Sequence, residues 1–242
     1  MISIIIPTLN EESVLEKTLT SLRRGFTIPH EIIITDGHSK DRTIEIAKRL
    51  GAKVVEHDGS YRQTIAEGRN AGAAAMDSSS KFAAFIDADC TIMEPDKFFG
   101  QILAHFERDP KLVAVNVAIR VLPEFETLSD KIIFSSFNRY LNFVNNFLHL
   151  GISAGEFQMI RREAFEKVGG YDPKLVAAED VDMFRKLNSV GQVRFETGLT
   201  IYHTGRRAHK IGWPKLLSLW ILNPVMMGLR GKAFSKEWKP IR

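Results

Sequence analysis

Read for its spacing of apolar and polar side chains, the chain opens as an alternation of buried strands and amphipathic helices. Ile2 to Ile6 is an apolar, β-branched run stopped by Pro7, which predicts a strand. Thr8 or Asn10 is placed to cap the next helix, whose positive end Glu11 and Glu12 favour. Val14, Leu15, Leu19 and Leu22 fall at helical spacing, and that helix ends near Gly25. Glu31 to Thr35 reads as a second strand opening directly into Asp36, with Gly37 permitting a tight turn. A second helix from about Asp41 carries Ile44, Ile46, Ala47 and Leu50, and Ala52 to Glu56 is a third strand. A third helix lies within Tyr61 to Met76, before a fourth strand that starts at Phe82. Strands alternating with helices of this length imply parallel pairing through right-handed crossovers. The first half therefore predicts an α/β sheet of the nucleotide-binding kind.

Beyond Asp89 the pattern is less regular. Phe98 to Phe106 suits a helix and Leu112 to Val121 a strand. Leu128 to Leu150 is a long, aromatic-rich segment with few charges, and phenylalanines stand at 125, 134, 137, 143 and 147. Phe157 to Arg161 reads as a strand and Arg162 to Val168 as a short helix. Glu179 to Val190 begins with the acids Glu179, Asp180 and Asp182 and then turns amphipathic. Val193 to Glu196 and Leu199 to Tyr202 predict two strands, followed by a C-terminal helix from about Trp213.

The chemistry concentrates where the fourth strand ends, in FAAFIDADC from Phe82 to Cys90. Side chains two apart on an extended backbone point the same way, so Asp87 and Asp89 can face one ligand. Open α/β sheets bind ligands at that edge. Two hard oxygen donors suit Mg²⁺ or Mn²⁺ completed by substrate phosphates. The alternative for an isolated Asp-x-Asp is loop solvation or a helix cap.

Length and composition narrow the field. At 242 residues, 44% hydrophobic and 26% charged, the chain has room for one α/β domain of ordinary soluble composition. Its single cysteine, Cys90, excludes an internal disulfide framework and a multi-cysteine zinc site, and is compatible with a reducing cytoplasm. The opening MISIIIPTLNEE lacks the features of a signal peptide, and no run reaches the roughly 18–20 apolar residues that span a bilayer. The formal charge of +4 is unevenly spread: from His203 to Arg242 there are nine Lys or Arg and one acid, Glu237. Such a tail fits nucleic acid, anionic lipid, a phosphorylated substrate, or simply a solvated face.

Taken together, the motifs resemble those of the family 2 glycosyltransferases of GT-A fold. IIIPTLNEE is similar to that family's opening strand and loop, TDGHSKDRT to its acidic turn, GRNAGAAA to its Arg-Asn segment and DADC to its metal motif. IRREAFEKVGGYDPKLVAAEDVDMFRKL resembles its acceptor segment and catalytic acid. Thr35 departs from the pattern, since many members carry a further acid there. The resemblance implies an α/β fold of GT-A type: a Rossmann-like, mostly parallel sheet flanked by helices, with a C-terminal acceptor-side region and a terminal amphipathic helix. It divides a single domain into a nucleotide-sugar-binding half (1–110), an acceptor and catalytic half (111–212) and a basic amphipathic segment (213–242).

Residue by residue, the resemblance assigns Pro7, Thr8, Glu11 and Asp36 to the base and ribose, and places Arg69 and Asn70 over the nucleotide. The alternatives are that Glu11 serves the helix dipole and that Arg69 only bridges neighbouring acids. Asp87 is expected near the ribose or metal, Asp89 on the metal, and His203 either on the metal or structural. Arg206, Arg207 and Lys210 form a basic loop over the diphosphate, a task that suits the guanidinium fork. Asp180 is the expected catalytic base for an inverting displacement, with Glu179, Gly170 and Tyr171 on the acceptor side. The Tyr171 ring would either stack on a sugar or pack in the core.

These expectations amount to a metal-dependent hexosyltransferase using Mn²⁺ or Mg²⁺. Its donor is a UDP- or GDP-linked sugar, and its acceptor a hydroxyl on a glycan or lipid-linked glycan, with no nucleic-acid partner. Alternatives are a polyprenyl-phosphate sugar synthase, which hardly needs Asp180 as a base, and a non-catalytic sugar-nucleotide or glycan-binding module, which could have lost any of Asp87, Asp89 and Asp180. A sugar-nucleotide pyrophosphorylase is disfavoured by the absence of that class's Gly-rich, Arg-containing N-terminal loop. The expected location is cytoplasmic, at the membrane periphery if the last helix lies in the headgroup region. Leu216 to Leu229 is uncharged and flanked by Lys215 and by Arg230, Lys232, Lys236, Lys239 and Arg242, with Trp213, Trp220 and Trp238 nearby. Packing of that helix on the sheet is the alternative.

Overall fold

The computed structural model describes residues 1–235 and residue 241. Lys236, Lys239, Arg242 and Trp238, all part of the membrane expectation, lie outside the described residues. The first half runs β1 (Ile2–Thr8), α1 (Leu15–Arg23), β2 (His30–Asp36), α2 (Thr43–Arg49), β3 (Lys53–Glu56), α3 (Ile65–Ala74), β4 (Phe82–Ile86) and α4 (Pro95–Arg108). The second half continues with β5 (Leu112–Val121), α5 (Leu128–Asn146), β6 (Phe157–Arg161), α6 (Arg162–Lys167), α7 (Glu179–Asn188), β7 (Gln192–His203), α8 (Arg206–Ile211) and α9 (Trp213–Arg230).

The strands form one sheet in the order β3-β2-β1-β4-β6-β5-β7. β1 pairs in parallel with β2 and β4, β2 with β3, and β5 with β7. Only β6 runs the other way, antiparallel to both β4 and β5. That reversal matters for the site. Phe157, the first residue of β6, sits opposite Ile86, the last of β4. The loop entering β6 is thereby delivered to the edge where Asp87 and Asp89 emerge.

Alternation along β1 sorts the core into two layers. Ile2, Ile4 and Ile6 join Leu15, Leu19, Phe98, Phe99 and Phe134 from α1, α4 and α5 on one face. Ile5 joins Ala66, Phe165, Met183 and Phe184 from α3, α6 and α7 on the other. On this second face α3 lies so close to β1 that a Cβ on Gly72 would fall 2.3 Å from Ile5 Cγ2. Gly72→Ala is therefore expected to destabilise the fold by about 2 kcal/mol through overpacking, read as a lowered urea midpoint.

Several local expectations change. Pro7 does not stop β1, which continues to Thr8. Pairing with β4 ends at Ile5, so at Pro7 the strand is bonded on one side only and tolerates the missing N–H. Neither Thr8 nor Asn10 caps α1, whose first flanking residue, Val14, offers no side-chain cap. Thr8 Oγ1 donates to Asp36 instead, and Asn10 Oδ1 accepts from the Lys40 N–H, so both tie the β1 loop to the β2 loop. The two strands expected between Val193 and Tyr202 are one, β7, with a register shift against β5 between Val117 and Ala118 that absorbs Thr197, Gly198 and Leu199. The basic stretch after His203 is helical, and α9 runs on through Pro224.

Candidate functional site

Five segments meet at the carboxyl edge of the sheet, around a cavity of about 950 Å³. Its walls include Pro7 and Thr8 at the end of β1 with Glu11 just beyond, Asp87 and Asp89 after β4, Glu156 before β6, Glu179 and Asp180 at the start of α7, and His203, Arg206 and Arg207 at the end of β7 and in α8. The loop carrying Asp89 is pinned to β7 by a reciprocal pair of backbone bonds between Thr91 and Tyr202 (2.7 and 3.1 Å). That pin holds Asp89 beside Thr204, whose hydroxyl donates to it at 2.5 Å.

Arg69 organises the acids. Its guanidinium is 1% exposed and donates to Glu179 at 3.0 Å, to Asp87 at 3.2 Å and to the Gly155 carbonyl at 2.9 Å, while lying over the Tyr171 ring. The bridging alternative is thus the one realised, and Arg69 is a buried organiser beneath the cavity. Asp180 Oδ2 and Asp87 Oδ2 lie 3.7 and 4.0 Å from the point where Gly155 would carry a Cβ. Arg69 Nη2 lies 3.1 Å from the same point, so a side chain at Gly155 would crowd the guanidinium that joins these acids.

Crowding of acids alters their proton affinity. Burial raises the Asp180 carboxyl above its ordinary value, Glu179 adds to the rise, and Arg69 opposes it. Burial likewise pushes Asp87 up to about 6 against the pull of Arg69. Glu156, raised by burial and by Asp87, reaches about 8. Asp89 behaves differently: burial favours its neutral form, but the Arg206 charge and the Thr204 hydroxyl oppose burial, and the carboxyl lies below the usual carboxylate range. The site therefore has one firmly ionised carboxylate and, facing it, acids poised to exchange protons.

α7 begins without a side-chain cap, and the residue before it, Ala178, adopts a left-handed φ of 62°. A non-glycine residue in that region is strained, and here it precedes the Glu179–Asp180 pair. The acids of the first turn are engaged in other ways. Asp180 accepts from the Val181 N–H at 2.8 Å, Glu179 is committed to Arg69, and Asp182 pairs with Lys186 at 2.7 Å.

Arg206 joins the two ends of the chain. It makes a forked pair with Glu11 (2.7 and 3.1 Å), and its Nε lies 3.1 Å from Asp89 Oδ2. The helix that carries it is anchored from below. Asp130, fully buried at the start of α5, accepts from His209 Nε2 at 2.8 Å and Trp213 Nε1 at 3.0 Å. This anchor was not foreseen from the sequence.

Among the described residues no group of three or more His, Cys, Asp or Glu side chains could hold a metal unaided. His203 lines the cavity, its Nε2 is buried with no hydrogen-bond partner, and burial lowers its proton affinity, leaving a neutral imidazole beside Asp89. One ionised carboxylate, one unpartnered imidazole nitrogen and room for phosphate oxygens fit Mn²⁺ or Mg²⁺ bound jointly with a diphosphate. They do not fit an all-protein cage.

Four expected site residues stand elsewhere. Asp36 is buried and spends its carboxylate on Thr8 and Ser39, and it is Gly37 beside it that reaches the cavity. Asn70 and Gly170 face a separate hollow, where the Asn70 amide clamps Tyr171 through bonds of 2.8 and 2.9 Å. A Cβ on Gly170 would fall 2.7 Å from Asn70 Oδ1, so glycine is needed for this clamp. Tyr171 is 1% exposed in the α3–α6–α7 layer and its hydroxyl donates to Gln158, so its ring packs in the core and does not stack on a sugar. The reading missed Glu156 and Gly155, whose only sequence signal is a Gly-acid pair just before a strand.

The mostly parallel sheet and the acid-lined carboxyl edge define an α/β enzyme of GT-A type. Residues 3–169 match the sequence model of Glycosyl transferase family 2, and the chain belongs to that family of glycosyltransferase enzymes. It is 29% identical over 231 residues to the succinoglycan biosynthesis protein ExoA of Rhizobium meliloti, covering 87% of this chain and 65% of that protein's length. Among solved structures it resembles the mannosyltransferase PcManGT of Pyrobaculum calidifontis in complex with GDP-Man and Mn²⁺, with a TM-score of 0.72 and 18% identity over 96% of this chain and 65% of that one. It also resembles glucosyl-3-phosphoglycerate synthase of Mycobacterium tuberculosis in complex with Mn²⁺, UDP and glucosyl-3-phosphoglycerate, with a TM-score of 0.62 and 20% identity over 97% and 81% of the two chains.

Proposed function

We propose that this chain transfers a sugar, with inversion, from a nucleoside-diphosphate sugar to an acceptor hydroxyl. The observation that carries the reading is the convergence of Asp87 and Asp180 beside Gly155, with Asp89 and His203 in the same cavity. Asp180 takes the hydroxyl proton as that oxygen attacks the anomeric carbon, and the bond from that carbon to the diphosphate breaks on the opposite face. Pro7, Thr8 and Glu11 contact the nucleoside, while Arg206 and Arg207 hold the diphosphate. A diphosphate offers Arg206 an alternative to its present pairing with Asp89. Mn²⁺ or Mg²⁺ held by Asp89 and His203 would neutralise charge on the departing diphosphate. The metal-bearing nucleotide complexes of the structural relatives support the donor class and leave the base and sugar open.

The acids Asp87, Glu156, Glu179 and Asp180 line the cavity. Asp87 and Asp180 in their ionised forms repel an anionic nucleophile, which favours a hydroxyl acceptor over a polyprenyl phosphate attacking directly. The test is a panel of UDP- and GDP-linked sugars, followed for metal-dependent release of the nucleoside diphosphate. Release from at least one donor, abolished by chelator, is expected. No release from any donor overturns the reading.

No helix among the described residues is long and apolar enough to cross a membrane. α9 nevertheless exposes Ile221, Leu222, Val225 and Leu229 just before Arg230 and Lys232. That arrangement supports peripheral attachment to an anionic surface. Flotation with anionic vesicles is expected to carry the protein upward at low salt and less so at high salt. Recovery wholly in the soluble fraction at low salt rules attachment out.

A further inference from the structure

Of the acids that line the cavity, Glu11 and Asp89 are paired with Arg206, Asp87 and Glu179 with Arg69, and Asp180 accepts from the Val181 N–H. Glu156 is the exception. Among the described residues its carboxyl bonds to its own backbone N–H and to no other residue. The loop that carries it is nevertheless held at close intervals. Asn145 grips Ile152 through both the N–H and the carbonyl (2.8 and 2.7 Å), and Asn116 donates to the same carbonyl at 3.1 Å. The Gly155 carbonyl accepts from Arg69 at 2.9 Å. The Glu156 carbonyl accepts from the Asp87 N–H at 3.3 Å and from Cys90 Sγ at 3.6 Å. A backbone fixed this firmly presents an acid that serves no other residue of the protein, which is how a preformed ligand contact is built.

Those bonds also fix where Glu156 stands. Its backbone lies across from the turn that carries Asp87 and Asp89, while its neighbour Gly155 lies against Asp180, whose Oδ2 is 3.7 Å from where a Cβ would be. The Glu156 carboxyl accordingly feels the charges of Asp87, Asp180 and Asp89. In an inverting transfer the migrating ring lies between the metal-held diphosphate and the base, and so between Asp89 and Asp180. Given the transferase reading above, we propose that Glu156 reads this ring, its carboxyl exchanging hydrogen bonds with one hydroxyl of the transferred sugar. Raised to about 8, the carboxyl carries its proton at neutral pH and can both give and take a hydrogen bond. A sugar hydroxyl matches that double capacity and brings no charge among the acids. A second cation matches it poorly, because a cation favours an ionised ligand.

The experiment is calorimetry on the full chain with Mn²⁺, using UDP, GDP, UDP-glucose, UDP-galactose, UDP-N-acetylglucosamine and GDP-mannose. For the tightest of these nucleotide sugars, analogues lacking one hydroxyl of the sugar are then compared. One such deletion is expected to weaken binding to the unaltered protein about tenfold or more. Glu156→Ala should weaken the parent nucleotide sugar by a similar factor, lose nothing further with that analogue, and leave UDP and GDP binding unchanged. Glu156→Gln fills the same volume and both gives and takes a hydrogen bond, so it should keep at least part of the sensitivity. A deletion that costs as much in Glu156→Ala as in the unaltered protein overturns the proposal. So does weakened binding of UDP and GDP in both variants, which would make Glu156 part of the metal or nucleotide site. Nucleotide binding with every deletion tolerated by the unaltered protein overturns this proposal alone, whereas failure of both UDP and GDP to bind that protein overturns the transferase reading beneath it.

Discussion

Replacing Asp180 with Asn lowers the transfer rate by roughly 10²–10⁴-fold and leaves nucleotide-sugar affinity close to that of the unaltered protein. Asn keeps the shape and the bond from the Val181 N–H but cannot take a proton. The donor affinity is spared because the proposed nucleotide contacts come from the β1 loop and α8. Since burial and Glu179 raise Asp180, the fraction in the working, ionised form falls as pH drops through that raised value. The acid limb of the rate profile therefore lies above the usual carboxylate range, and the small residual rate of the Asn variant lacks that limb. Calorimetry separates the roles: a collapse of donor affinity in the variant would make Asp180 a binding residue, and an unchanged rate would remove it from the mechanism.

Asp89→Ala is the second large effect. A loss of about 10²–10³-fold in rate is expected, from the removal of electrostatic stabilisation of the leaving diphosphate. The fold should survive, because Asp89 stands beyond the end of β4 and Arg206 keeps its forked pair with Glu11. Excess chelator should bring the unaltered protein down to the rate of the variant, while adding no further loss to the variant itself. Full activity in chelator would show that Asp89 serves Arg206 alone.

The first four strands and the pair Asp87 and Asp89 could be read from the chain because each strand has a short apolar, mostly β-branched or aromatic centre followed by polar residues. Asp180 and Arg206 were reached through ordered motifs, although their partners were not. The bond from Arg69 to Glu179 joins positions 110 apart in sequence, and that from Arg206 to Glu11 joins positions 195 apart, separations that no local pattern encodes. Glu156 was missed for a related reason: it reaches the site only because β6 is antiparallel, and strand direction is a property of the assembled sheet. Tyr171 and Asn70 sit within recognisable motifs, yet the Asn70 side chain serves the Tyr171 backbone and the Tyr171 side chain serves the core. A motif locates a segment, but packing decides which of its side chains meets the ligand.

In the proposed mechanism one carboxylate, at Asp180, directs attack from the face opposite the diphosphate. This is tested most directly by the anomer first released when an α-linked nucleotide sugar is turned over with water as acceptor, followed by proton NMR before mutarotation. The β anomer, lost in the Asp180→Asn variant, is the result expected. Initial release of the α anomer would contradict it.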